Sequence, residues 1–307
     1  MTLVKQHPTS TMPTQPIPPE INDAIIEFVE AEDKETLRAC TLVCRDWLPA
    51  SRHRLFRHIE ISKDVQYLCL VKHILQSETA RQYLRSTVSF SLWEEIPIPD
   101  VGEPKNASVE KTGEDSAIEP VPASRMLLCD FAGHLPNLRA LSIEFARWYL
   151  HLPLLREPLL LSTFPAIQTL HLGYCLFPNV AFLRRILASM AQLRCLELIF
   201  PSFAALAPAT TSLYEPSIQS RRLLPELETL ELLCDCEDSS LDPILAWLSA
   251  SHTPDQSSIR QLIFQYPLKD APIPTSLRPS HADLLQTLAP GLRRARLSPA
   301  GKLLVQV

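Results

Sequence analysis

Glycine is scarce in this chain, with 6 residues among 307 against 28 prolines. Loops that cradle phosphate need glycine so that backbone amides can approach the ligand, and neither GxGxxG nor GK[ST] occurs. Common nucleotide chemistry is therefore not expected. Long apolar runs are missing too. Pro, Arg and Glu interrupt even the richest stretch, Leu150 to Leu161, which stays well under the roughly 18 residues of a membrane-crossing helix. The formal charge is -5, and a nucleic-acid footprint needs a basic face. Neither a membrane nor a nucleic acid is expected as a partner.

Catalytic and metal signatures are equally thin. GxSxG and HExxH are absent. Cys40 and Cys44 lie one helical turn apart and Cys234 and Cys236 flank Asp235, but structural zinc takes four ligands, usually including a CxxC pair. No metal and no other cofactor is expected. His171 and Cys175 suggest a base and a thiol, yet no third group to orient them is identifiable, and the chain does not read as an enzyme. The eight cysteines sit mostly inside apolar runs, and the first sixteen residues lack the apolar core of a secretory leader. Free thiols in a reducing compartment follow, with a cytoplasmic or nuclear location.

What is present is enough apolar material for a sizeable core, 46% of the residues. Residues 1–15 read as a flexible tail. The segment 16–60 then crowds apolar residues at helical spacing. Pro18 and Pro19 suit a first helical turn, and Glu20 and Asp23 complement the positive end of its dipole. Ile21, Ile25, Ile26 and Val29 fall on one face. Asp33 can cap a second helix with Leu37, Cys40, Thr41 and Cys44 on one side. Pro49 is expected to kink or end it, and a third helix presents Leu55 and Phe56 before the strand-like Ile59 to Ile61.

Ile17-Pro18-Pro19-Glu20, the apolar helix, Leu37, Leu42-Val43-Cys44-Arg45-Asp46-Trp47 and Leu55-Phe56 together resemble the F-box, particularly its fungal form. The resemblance covers about 43 residues, Pro16 to His58. It implies three helices that bind a Skp-type adaptor and through it a cullin-RING ubiquitin ligase. Carried over by position, the adaptor-binding residues are Ile17, Pro18, Ile21, Ile25, Leu42, Val43 and Trp47. Ile17 departs from the usual leucine.

Beyond this module, Ser62 or Asp64 can cap a helix from Val65 to Gln76 with Leu68, Val71 and Leu75 on one face. Tyr83 to Leu92 alternates like a strand. Residues 94–124 hold eight acidic residues against two lysines, more than the whole formal charge, and read as a disordered insertion in a surface loop.

A repeat then takes over, apolar-x-x-apolar-x-apolar: Leu138-Leu141-Ile143, Ile167-Leu170-Leu172, Leu193-Leu196-Leu198, Leu227-Leu230-Leu232, Ile259-Leu262-Phe264 and, weakly, Leu292-Ala295-Leu297. Successive starts lie 29, 26, 34, 32 and 33 residues apart, the sign of a solenoid. Helices are expected between the strands: Ala181 to Met190, one opened by Asp242-Pro243, and Met126 to Ala132 opened by Ser124 and stopped by Gly133. The fold class is thus α/β, a parallel sheet with right-handed crossovers over residues 61–307. This part resembles irregular leucine-rich repeats, whose pairing with an F-box is a familiar architecture. The position three past the last apolar residue, usually Asn or Cys in that family, holds Cys175 once but Ala146, Pro201, Asp235 and Pro267 elsewhere.

Outward strand positions are the expected target-binding strip: Ala140, Ser142, Glu144, Thr169, His171, Cys195, Glu197, Thr229, Glu231, Gln261, Gln265, Arg294 and Arg296. Arg293, Arg294 and Arg296 can read an acidic motif or blunt the last strand edge. The functional expectation is a non-catalytic substrate receptor of a Skp-cullin-F-box ligase, holding an unidentified target protein. The alternative is a repeat-based interaction scaffold working outside any ligase.

Overall fold

The computed structural model describes residues 18–31, 33–94, 123–148, 161–204, 226–233, 242–251, 258–266, 279–289, 292–299 and 304–305. Ile17, the expected tail, most of the acidic insertion, and Asp235 and Pro267 lie outside the described residues. The chain divides into two units, Met1–Phe56 and Arg57–Val307.

The first unit has three helices, α1 (Pro19–Phe28), α2 (Lys34–Val43) and α3 (Trp47–Leu55). Pro18 takes the cap position of α1, where its carbonyl accepts from the Ile21 amide at 3.0 Å. Proline loses nothing there, because first-turn amides have no intrahelical acceptor. The Asp33 carboxylate caps α2 by accepting from the Thr36 amide at 3.0 Å, which holds its pKa below the ordinary carboxylate value. Pro49 does not end α2. It sits in the first turn of α3, and α2 stops at Val43 because Cys44 turns extended.

Ile26, Leu37 and Cys40 form the core of this unit, with Val29, Trp47, Ala50 and Leu55 packed against them. The single apolar face expected on α1 separates into two stripes. Asn22 and Ile26 point inward, while Ile21, Ile25 and Phe28 are exposed. Cys44, expected to share the buried side of α2, is exposed as well. The Trp47 indole N–H donates to the Asn22 side-chain oxygen at 2.9 Å, and the Arg54 guanidinium donates to the Val29 carbonyl at 3.0 Å, satisfying the end of α1.

The second unit is an α/β arrangement around a nine-stranded sheet. Its strands are β1 (His58–Ile61), β2 (Ser89–Trp93), β3 (Ala140–Glu144), β4 (Thr169–Gly173), β6 (Cys195–Ile199), β8 (Thr229–Leu233), β9 (Gln261–Tyr266), β10 (Arg294–Pro299) and β11 (Leu304–Val305), hydrogen-bonded in chain order. All pairings are parallel except the last, β10 with β11. Two short strands, β5 (Leu176–Phe177) and β7 (Ser202–Phe203), pair separately. Six expected strands are present. The sheet also takes in β1, where Ile59 to Ile61 was expected as a strand, and β2, whose repeat signal is masked because Thr87, fully buried, stands where later repeats have Leu or Ile.

Between strands lie α4 (Asp64–Leu70), continued by a π-helical turn Val71–Leu75, α5 (Glu78–Arg81), α6 (Ala123–Asp130), α7 (Val180–Ala188), α8 (Asp242–Ser251) and α9 (Pro279–Leu288). The helix expected over Val65 to Gln76 buries Leu75 as expected but departs at its start. Leu68 is exposed and Tyr67 is buried, its hydroxyl donating to Asp130 at 2.7 Å. Neither Ser62 nor Asp64 caps it. Lys63 holds the cap position, and the Gln66 side chain accepts from the Ser62 amide at 2.8 Å. Tyr83 begins no strand, since Gln82–Ser86 is a 3-10 turn and the strand opens at Ser89. Glu94 and Ser124 do not belong to the insertion. The Glu94 amide donates to the Glu144 carbonyl at 3.0 Å, and Ser124 is within α6.

Alternate residues of β2, β3, β6 and β8 are buried, and the Tyr67, Phe90 and Phe131 rings meet at 5.8 and 6.2 Å between centroids, joining α4 and the end of α6 to β2. On α7, Asn179 caps the Phe182 amide at 2.9 Å and Leu183, Ile186 and Leu187 are buried, as is Met190 just beyond. Gly133 takes φ +75 in the turn after α6, a conformation that side chains disfavour. Among the described residues no helix is long and apolar enough to cross a membrane.

Replacing Trp47 by Phe leaves the Asn22 oxygen, in a residue 4% exposed, without its donor. That costs about 1–3 kcal/mol. Faster hydrogen exchange of the α2 amides is the expected readout, and adding Asn22→Leu is expected to restore most of the protection.

Candidate functional site

Two surfaces, one on each unit, carry the residues expected to function. On the helical unit, Ile21 and Ile25 are 51% and 40% exposed, Leu42 and Val43 85% and 61%. Pro18 is exposed and Trp47 is half-buried against the small core. Phe28, 90% exposed, was not expected. It lies three residues past Ile25 and seven past Ile21, which places the three on one helical stripe.

On the larger unit, strand register assembles the outward residues into rows. Ser91, Ser142, His171, Glu197, Glu231 and Ile263 occupy successive positions across the sheet. Ala140, Thr169, Cys195, Thr229 and Gln261 form the neighbouring row. Arg294 and Arg296 stand on β10 opposite Gln261 and Ile263. The sequence-expected strip is therefore a continuous surface from Ala140 to Gln261, half-buried throughout.

His171 is the centre of its row. Its Nδ1 lies 2.7 Å from Glu197 Oε2 and its Nε2 3.5 Å from Glu144 Oε1, with the imidazole 18% exposed. The hydrogen bond to Glu197 raises the His171 pKa above its ordinary value, against the effect of burial, and the charges of Glu197, Glu144 and Glu231 act in the same direction. Gly173 makes the approach possible. A Cβ there would stand 3.0 Å from Glu144 Cγ and 3.2 Å from His171 Nε2.

Cys175 is not part of this cluster's chemistry. Its thiol is fully buried and donates to the Gly173 and Ile143 carbonyls at 3.4 and 3.5 Å, and burial pushes its pKa up to about 12. A thiol so held is neutral and a poor nucleophile. Burial also raises the Cys195 pKa. Ala146 and Pro201, at positions equivalent to Cys175, are buried too, and they fill the turn without supplying a hydrogen-bonding side chain. Among the described residues no group of three His, Cys, Asp or Glu could hold a metal ion.

A feature of this edge escaped the sequence reading. Phe145, Tyr174 and Phe200, each the residue after β3, β4 and β6, take φ of 62, 53 and 45. Phe145 and Tyr174 stack at 4.9 Å with an interplanar angle of 8°, Tyr174 and Phe200 at 5.3 Å and 20°, and Trp93 meets Phe145 edge-on at 6.4 Å. The signal available in sequence was an aromatic residue two past the last apolar position in three consecutive repeats.

No protein-family model matches this chain. No curated protein matches it either.

Because the folded pKa of His171 is raised, its contribution to stability is fully present below the unfolded value near 6.5 and is lost as pH rises through the folded value. An NMR titration of His171 is expected to show a midpoint above 6.5, moving down in Glu197→Gln. The stability difference between wild type and His171→Ala is expected to be larger at pH 6 than at pH 9.

Proposed function

We propose that the chain is a non-catalytic substrate receptor of a Skp-cullin-F-box type ubiquitin ligase. The helical unit holds a Skp-type adaptor, and the strand-helix unit, read as irregular leucine-rich repeats, holds a target protein. The observation that carries this reading is the exposure of Ile21, Ile25, Leu42 and Val43 on a unit whose own core is small. These are four of the residues that the F-box resemblance assigns to adaptor contact.

Contiguous apolar surface on a small soluble unit marks an interaction site, since water contact with it is unfavourable. The Ile21, Ile25 and Phe28 stripe suits a helix laid into an apolar partner groove. Trp47, bonded to Asn22 and packed on the core, holds α3 against the helix that carries this stripe, in addition to any direct contact. The receptor performs no chemistry in this reading. It raises the local concentration of target lysines near a recruited conjugating enzyme.

Co-purification of the full chain with a Skp-type adaptor tests the proposal. Wild type is expected to form a stoichiometric complex. Ile21→Asp and Leu42→Asp, both at exposed positions, are expected to keep their circular dichroism and weaken the complex by about 2 kcal/mol or more, roughly thirtyfold. Absence of any complex with wild type favours the ligase-independent scaffold.

A further inference from the structure

We infer that the sheet edge at the C-terminal ends of β2, β3, β4 and β6 binds an arginine-bearing basic segment of a partner protein. Guanidinium groups would stack on the ladder of Trp93, Phe145, Tyr174 and Phe200 and pair with neighbouring carboxylates. The inference rests on the reading of the larger unit as a receptor and is independent of the adaptor assignment.

Backbone conformation is the first argument. The left-handed region is unfavourable for side chains beyond glycine, and aromatic residues have no local hydrogen bond to compensate as Asn or Asp do. Among the described residues the three non-glycine positions there are all aromatic and all repeat-equivalent. Their amides donate to the carbonyls of Gly173, Ile199 and Leu233, at 2.8, 2.6 and 2.8 Å, so the sheet ladder itself holds the strained turn. Strain retained at equivalent positions points to a use for the rings.

Exposure is the second. Stacks that serve only packing are buried here, as Phe90, Phe131 and Phe177 are, at 0%. Trp93 and Tyr174 keep 46% of their surface in water.

Charge decides the partner. Outward positions of β1, β3, β6 and β8 carry Glu60, Glu144, Glu197 and Glu231, and the outward positions of β1 to β9 carry no Lys or Arg. Arg139 and Arg194 stand at the opposite ends of their strands, where Arg194 pairs with Glu226 at 3.4 Å, and Arg147, two residues past Phe145 and bridged to Leu176, is a cation near Glu94 and Glu144 at this end. Glu144 is the register neighbour of Trp93 and precedes Phe145 in the chain. An apolar partner would strip water from the Glu144, Glu197 and Glu231 carboxylates, and an acidic partner would be repelled. A flat, weakly hydrated cation satisfies both the rings and the carboxylates, which describes arginine better than lysine.

Isothermal titration of the full chain with three synthetic peptides of equal length, bearing spaced arginines, lysines or glutamates, tests this. The arginine peptide is expected to bind at one site, the lysine peptide at least about fivefold weaker, and the glutamate peptide not at all. Tyr174→Leu, Trp93→Leu and Glu144→Gln are each expected to lower arginine-peptide affinity about tenfold, with circular dichroism and adaptor co-purification unchanged. Equal affinity for arginine and lysine, equal affinity in wild type and the ring variants, or no binding by wild type overturns the inference. None of those results bears on the adaptor complex. Loss of the adaptor complex with peptide binding intact sinks only the ligase reading.

Discussion

Two rows of apolar side chains set the rest of the larger unit. Phe90, Leu141, Leu170, Leu196, Leu230 and Leu262 stand side by side across the strands, and Leu92, Ile143, Leu172, Leu198, Leu232 and Phe264 form the second row. Every one of these twelve is at most 2% exposed. Ordering a backbone residue costs about 1–2 kcal/mol, which a lone strand with its few buried side chains cannot offset. Shared faces between successive strands remove that difficulty. Because side chains alternate with period two, slipping any strand by one residue would expose its whole row.

That constraint also determines the outer surface. Once the leucine rows are buried, Glu144, His171 and Glu197 must face outward on three neighbouring strands, close enough for the imidazole to meet both carboxylates. Gly173, whose hydrogen leaves the space, and the left-handed turns at Phe145, Tyr174 and Phe200 complete an edge that is aromatic and acidic together. The buried rows are repetitive, and the residues that vary between strands lie on the surface that they orient.

The helical unit uses a different economy. Its core holds few large residues, and a half-buried hydrogen bond between Trp47 and Asn22 ties α3 to α1. Two stripes one residue apart on α1 differ in burial: Asn22 and Ile26 face the core, while Ile21, Ile25 and Phe28 stay exposed.

The sequence by itself determined the features that depend on local chemistry and periodicity. The proline-led start of α1, the Asp33 cap and the Leu-x-x-Leu-x-Leu strands from β3 to β9 are of this kind, because capping and alternation act within a few residues. The outward strip from Ala140 to Gln261 follows from the same alternation. Only tertiary structure decided which apolar stripe of α1 is buried, since Ile21 and Ile26 are equally apolar and the choice is made by what α3 presents. It also decided that Tyr67 replaces Leu68 in the core, where Asp130, 63 residues away, receives its hydroxyl. The aromatic ladder depends on left-handed turns that propensity disfavours and on rings brought together from strands some 25 to 50 residues apart. Such long-range contacts outweigh local preference, and no window of sequence contains them.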